Sequence, residues 1–502
     1  MSPSPKFTTS QVSNKVPAIA KWFGIIGLLF FSISSNISND TMSSIPYELS
    51  DYFGIKVGMI NATYVSAKFL NFLVAPLAIF IIDYLGPTVT IYASLISSII
   101  VILFRVISFS VGGLAGYIIF FASELFVAIQ MTTANCSYLI YISIWFPEKL
   151  RMIANAIYLF GSILGLVLAM NIGPLFIGAG AVKGDFLVFT FVNGGFSVIG
   201  IIFCLALFLS NSGNRFSVMP SEGYAMHSFS SLEIVRKYRH QNRSAGEAFH
   251  NIYNELKSIL NITDSKTRKG FPLLWLSFAQ CFGIGGIALS GTPQMLCIRN
   301  YPKIVATGLC MISLIVSGMI FAVIVSYFNN KYSNGVFLIK VLLVIASIGG
   351  WLTYISTQLI NVQNNFFQYE IFLMVSYLLF GAGIAVLPLA SELSIECTYP
   401  KGQGLINGIF DIGTNLGQFI YGVLFYSIPR EVTDQKILDE NQCNLSESSE
   451  STVLDFTTPL LILVICYSIG ALLPIFFLEV PYLRKKADDQ AKCEKNSAFV
   501  VS

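Results

Sequence analysis

Charged side chains are scarce: Asp, Glu, Lys and Arg make up 11% of the 502 residues, against roughly 25% in an ordinary soluble chain. So little charge leaves too little polar surface to keep a protein of this size in water. The formal net charge of +3 is too weak to mark a nucleic-acid partner. Histidine is rarer still, and all three residues, His227, His240 and His250, fall in one hydrophilic stretch. The apolar segments therefore hold no imidazole to relay protons or to ligate a haem iron or another metal. The nine cysteines (136, 204, 281, 297, 310, 397, 443, 466 and 493) lie mostly in apolar runs and form no CxxC pair. That excludes a zinc ribbon or a dithiol site and leaves small buried apolar residues. GxSxG, HExxH and P-loop patterns are missing as well, so no enzyme, no cofactor and no metal is expected.

What the chain has in abundance is hydrocarbon. Apolar residues reach 54% and aromatics 14%, with 42 Phe, and the mean hydropathy is +0.70. Twelve apolar segments are each long enough to cross roughly 30 Å of lipid. They lie near 22–45, 57–82, 88–109, 114–143, 152–179, 186–209, 271–296, 303–327, 334–359, 370–394, 403–428 and 456–479. The predicted organisation is a tail at 1–20, a six-helix bundle at 21–209, a linker at 210–270, a second six-helix bundle at 271–480 and a tail at 481–502. With the N-terminus inside, Lys and Arg number 21 on the inner side and 6 on the outer, with Lys68, Arg105 and Lys340 inside spans. The positive-inside rule then puts both termini in the cytoplasm. The first 20 residues are polar and the first apolar run exceeds a signal h-region, so no cleaved leader is expected.

Smaller signals fit this layout. Trp22, Trp145 and Trp275 fall near inner span ends, where interfacial anchors belong. Asn444, in Asn-Leu-Ser, is the sequon of an outer loop and the expected glycan site. Within the linker, Phe249, Ile252, Leu256 and Ile259 recur at helical spacing, predicting an amphipathic helix on the inner membrane face.

Two halves of six spans match the major facilitator architecture. Asp83-Tyr84-Leu85-Gly86 sits between spans 2 and 3, where that superfamily places an Asp-x-x-Gly turn, although Pro87 stands where an arginine usually follows. Three further segments carry a closer likeness: Lys21-Trp22-Phe23; Trp145-Phe146-Pro147-Glu148 with Arg151, Ala154, Gly161, Gly165 and Pro174; and Glu392-Leu393-Ser394-Ile395-Glu396-Cys397-Thr398-Tyr399-Pro400 with Gly404 and Gly408. Together they resemble transporters related to the feline leukaemia virus subgroup C receptor, collinearly over about 20–480, the last segment being the most specific. The resemblance implies an all-α membrane protein of twelve transmembrane helices in two six-helix bundles, the major facilitator fold. It also implies a cargo such as choline, ethanolamine, a haem-related solute or a vitamin-like compound. The family's choline-binding positions fall on Asn39, Ser290, Ile163 and Asn415. Of its two glutamine positions only Asn415 keeps an amide, and the aromatic cage that a quaternary ammonium needs is missing.

Polar groups inside spans are costly and therefore informative. Asn36, Asn39 and Asp40 share a face of span 1, with Asp40 roughly 28 Å from Lys21, near the outer rim. Span 2 carries Tyr64, Lys68 and Asn71; span 4 carries Glu124, Gln130 and Asn135; span 11 carries Asp411, Asn415 and Gln418 on one face. Lys68 is expected to pair with Glu124 or with Asp411. Glu392 and Glu396 are expected at the inner gate. Gly283, Gly285, Gly286, Gly291 and Pro293 predict a broken span 7, and Gly381 and Gly383 a broken span 10. Tyr64, Phe282, Trp351 and Tyr354 are candidate aromatic walls.

The resulting expectation is a monomeric multi-pass carrier that moves a small organic solute by alternating access. Asn39, Gln130, Ser290, Asn415 and Gln418 would bind solute. Asp40, Lys68, Glu124, Asp411, Glu392 and Glu396 would set charge and gating, with a proton or cation as coupling partner. The expected location is the plasma membrane, an organelle membrane being the alternative. The competing readings are a carrier for another metabolite or drug, and a non-transporting receptor on the same fold.

Overall fold

The computed structural model describes residues 20–146, 148–178, 180–210, 245–260, 270–298, 308–332, 334–358, 366–398, 403–432 and 454–483. Nearly all of them are helical. α1 (Ala20–Ser44) and the short α2 (Pro46–Phe53) lead to α3 (Val57–Leu85), α4 (Pro87–Val111), α5 (Gly113–Trp145), α6 (Glu148–Phe176) and α7 (Lys183–Ser210). After α8 (Ala245–Leu260) come α9 (Gly270–Cys297), α10 (Cys310–Tyr332), α11 (Gly335–Gln358), α12 (Phe366–Phe380), α13 (Ala382–Thr398), α14 (Gln403–Ser427) and α15 (Thr457–Phe477). α12 and α13 are two halves of one crossing, broken at Gly381 as its glycines predicted. A minimal antiparallel ladder, β1 (Arg430–Glu431) with β2 (Leu454–Asp455), joins the ends of α14 and α15.

Helices are the economical answer to a sequence this apolar, because each satisfies its own backbone and can present side chains to lipid all round. Among the described residues, eleven helical stretches are long and apolar enough to span a bilayer. The twelfth crossing, α14, has 25 residues but is diluted by Asn407, Asp411, Asn415 and Gln418. Leu77, Leu103, Leu114, Ile202, Val323 and Phe476 stay exposed around the perimeter, where hydrocarbon rather than water is the fitting solvent.

α1 and α3–α7 form the first bundle, α9–α15 the second. They meet chiefly where α14 packs on α3 and α5, with further contact from α6 to α10 and α13. The ends of α1 mark the two ends of the molecule, the Lys21 face and the Ser44 face.

Two sequence motifs acquire a mechanical meaning. Gly86 joins α3 to α4 at φ 85° and ψ 171°, a conformation that only glycine adopts without strain, and Pro87 takes the first position of α4, where its missing N–H costs nothing. Arg151 is buried and sends Nε to the Phe146 carbonyl (3.1 Å) and a terminal nitrogen to the Ser143 carbonyl (3.2 Å). It thereby satisfies carbonyls that the end of α5 would otherwise leave unpaired.

Three expectations need correction or completion. Span 7 is not broken: α9 runs as one continuous helix from Gly270 to Cys297, Pro293 included. Its glycines instead permit close approach, a Cβ on Gly283 falling 3.3 Å from Cα of Gly417 on α14. Trp145 is no interfacial anchor. It is fully buried and stacks with Tyr141, because the turn into α6 folds back over the end of α5. The amphipathic helix does form, as α8. It leans on α3 through Ile252 and leaves Phe249 and Tyr253 exposed. Asn444, His227, His240, both tails and the remainder of the linker lie outside the described residues.

Candidate functional site

A cavity lined by residues of both bundles lies between them. α1 and α3 contribute Asn36, Asp40, Tyr64 and Lys68; α5 and α6 contribute Asn135, Tyr138, Tyr158 and Ser162; α9 and α14 contribute Phe278, Phe282, Asn407, Asp411, Thr414 and Gln418. The wall is thus mostly aromatic and apolar, with a few converging polar groups, the usual make-up of a small-molecule site.

Lys68 pairs with neither of its expected partners. Its Nζ lies 2.9 Å from Oδ1 of Asp40 and 4.7 Å from the centre of the Tyr64 ring. The depth count places Asp40 at the rim, but it is only 4% exposed, faces Lys68 of α3 and lines the cavity. Glu124, the other candidate, is held by Arg105 of α4, whose same nitrogen donates to the Ser38 carbonyl at 3.1 Å. These are the two ion pairs found among the described residues, and all four partners belong to the first bundle.

Asp411 stands apart from both pairs. Its Oδ1 accepts from Nδ2 of Asn135 at 3.0 Å across the bundle interface. Its Oδ2 has no hydrogen-bond partner, although the residue is only 8% exposed. Asn135 is the hub of this interface. Its Oδ1 accepts from the Tyr158 hydroxyl at 2.7 Å, and its backbone carbonyl accepts from Asn407 of α14. Tyr158 in turn stacks on Tyr138 at 3.8 Å. Two more bridges tie the bundles together. Near the Lys21 face, Asn155 donates to Ser391 at 3.3 Å. Near the Ser44 face, Asn61 and Gln294 exchange two amide hydrogen bonds, of 3.3 and 3.1 Å.

The other candidate residues are dispersed. Gln418 lines the cavity and donates to the Phe282 carbonyl at 3.1 Å. Asn415 turns back to the Asp411 carbonyl, one helical turn away, and Ser290 to that of Ile287. Gln130 reaches the Phe31 carbonyl inside the first bundle. Asn39 is fully buried beside the Asp40–Lys68 pair, with neither amide atom bonded. Glu392 and Glu396 are half-buried on the last turns of α13, away from the cavity wall. Of the proposed aromatic walls, Tyr64 and Phe282 are in place; Trp351 faces outward and donates to Ser468, and Tyr354 packs beside it. Sequence reasoning missed Tyr138, Tyr158 and Asn407 as wall and bridge residues, and Arg105 as the partner of Glu124. An arginine in mid-span was the available signal for the last. The two tyrosines were hidden among 23.

Comparison with known proteins bears on this arrangement. The profile of the Major Facilitator Superfamily matches residues 24–422. Solute carrier family 49 member A3 of Xenopus tropicalis is 25% identical over 347 residues, which is 69% of this chain and 62% of that protein. The protein of the same name from Danio rerio is 22% identical over 353 residues, 70% of this chain and 64% of its own length. The chain therefore spans just under two thirds of the curated relatives it matches. Among solved structures, the xylose transporter XylE of E. coli in a partially occluded inward-open conformation superposes with a TM-score of 0.58. That match covers 92% of this chain and 99% of the other, at 14% identity, and speaks to the fold alone.

Proposed function

We propose that this chain, which belongs to the major facilitator superfamily, is a non-enzymatic membrane solute transporter akin to solute carrier family 49 that carries a small organic amine by alternating access. The central cavity would be the solute site. The observation that carries this reading is the position and charge of that cavity: it sits at the bundle interface, where Asp40 and Lys68 cancel and Asp411 has no cation. An excess carboxylate favours a compact ammonium over haem, whose propionates would be repelled. Ethanolamine and vitamin-like amines are therefore the first solutes to test, with choline, which has no N–H donor, as the comparison. In the cycle, the Asn61–Gln294 bridge would open as the Asn155–Ser391 and Asn135–Asp411 bridges hold, and the reverse, with each bundle moving as a body.

The lysine and arginine distribution supports both termini in the cytoplasm, with α8 lying on the inner leaflet; a monomer in the plasma membrane is the accompanying proposal. Tag accessibility in intact and permeabilised cells checks the orientation. The function is tested with purified full-length chain in liposomes and labelled choline, ethanolamine, haem and pyridine vitamins. Saturable exchange of an amine is expected. No exchange of any solute would favour a receptor that keeps the bundle without its cargo path.

A further inference from the structure

We infer that Asp411 is an ion-exchange residue: its carboxyl group holds either one proton or one ammonium-type cation bearing N–H donors, and the two compete. The charge inventory around the cavity leads there. From α1 and α3 come Asp40 and Lys68, which neutralise each other, and behind them Glu124 is neutralised by Arg105. From α5 and α6 come Cys136, Tyr138 and Tyr158, all uncharged near neutrality. α9 presents Phe278 and Phe282. Glu392 of α13 lies off the cavity wall, Asp83 of α3 lies beyond the Ile79–Gly408 contact, and Cys466 of α15 lies toward Tyr421. Among the described residues, three acids and two bases thus surround the site, and one positive charge is wanting.

The geometry says where that charge goes. Oδ1 of Asp411 is taken by Asn135, Oδ2 is buried without a hydrogen-bond partner, and the residue lines the cavity. A buried carboxylate in this state is costly unless a proton or a cation neutralises it. Oδ2 offers an acceptor to an N–H group, while Phe278, Phe282 and Phe410 supply ring faces nearby for the ligand's carbon side. The exchange is balanced. An incoming ammonium displaces the acid proton; the O–H bond of Asp411 breaks, the proton leaves to cavity water, and the cation takes its place at the carboxylate. Charge is conserved and no electrons are transferred. What the exchange accomplishes, counter-movement of a proton and an amine, rests on the carrier reading; the competition itself does not.

Infrared difference spectroscopy of the full-length chain in lipid nanodiscs tests it, with methylammonium as the probe. A carboxylic-acid C=O band should titrate with pH, vanish in Asp411→Asn and persist, displaced, in Asp411→Glu. Above half-saturation, each tenfold rise in methylammonium should lower the midpoint by about one pH unit, whereas sodium and tetramethylammonium, which lack N–H donors, should leave it in place. A band unchanged in Asp411→Asn, or a midpoint indifferent to methylammonium, overturns the proposal. Should Asp411→Asn fail to fold, the displaced band of Asp411→Glu and its response to methylammonium decide. Failure of the carrier reading would instead appear as absent tracer exchange with this titration intact.

Discussion

The first bundle holds Lys68–Asp40 and Arg105–Glu124 entirely within its own helices, whereas Asp411, the one acid that the second bundle brings to the cavity wall among the described residues, reaches across the interface to Asn135 for a hydrogen bond. One half is internally balanced and braced by Asn193–Ser38 and Ser34–Ser197 contacts. The other is uncompensated where it meets its neighbour. The contrast teaches that buried charge plays two parts in one membrane protein. Paired inside a rigid unit it locks helices together, and unpaired at a moving seam it waits for a ligand.

Substitutions can break or sharpen that contrast. The largest effect should follow Arg105→Met, which strands Glu124 in the core of the first bundle. A loss of about 3–5 kcal/mol is expected, read as a fall in thermal unfolding in detergent, and the double change Arg105→Met with Glu124→Leu should recover most of it. Lys68→Met should cost less, about 1–3 kcal/mol, because Asp40, though buried, lines the cavity, whereas Glu124 is sealed inside the first bundle. Gly417→Leu, which forces α14 from α9, should cost a similar 1–3 kcal/mol by overpacking. Asn61→Leu should cost about 1 kcal/mol at most in stability, yet raise the reactivity of a cysteine placed beside Gln294, since it weakens closure at the Ser44 face. Asp411→Asn should be the mildest, neutral or slightly stabilising, because no cation loses its partner. A loss there as large as that of Arg105→Met would erase the contrast.

Much of this layout was readable in the chain. Twelve lipid-length segments, the break at Gly381 and the polar face of α14 follow from hydropathy and a 3.6-residue period, which are local properties. Pairing was not readable. The spacing of Tyr64, Lys68 and Asn71 shows that they share a face, but not which helix crosses that face at the height of Lys68. A straight count of rise per residue also gives height along α1 and not what lies beside it, and Lys68 of α3 meets Asp40 in the interior. The glycines of span 7 misled for a related reason: a missing side chain marks either a bend or a close neighbour, and only Gly417 on the other helix decides between them. Asn135 was noted as polar, but a residue that joins Tyr158, Asp411 and Asn407 is defined by three other segments at once.

The neutral pairing inside the first bundle has an electrical consequence. When a rigid body carrying equal and opposite charges moves together through the membrane field, the work done on Lys68 cancels the work done on Asp40, and likewise for Arg105 and Glu124. At roughly 2.3 kcal/mol per elementary charge per 100 mV, an unmatched charge riding on either bundle would make the cycle strongly voltage-dependent. Among the described residues on the cavity wall, that leaves one such group, Asp411, and whatever neutralises it during each half of the proposed turnover.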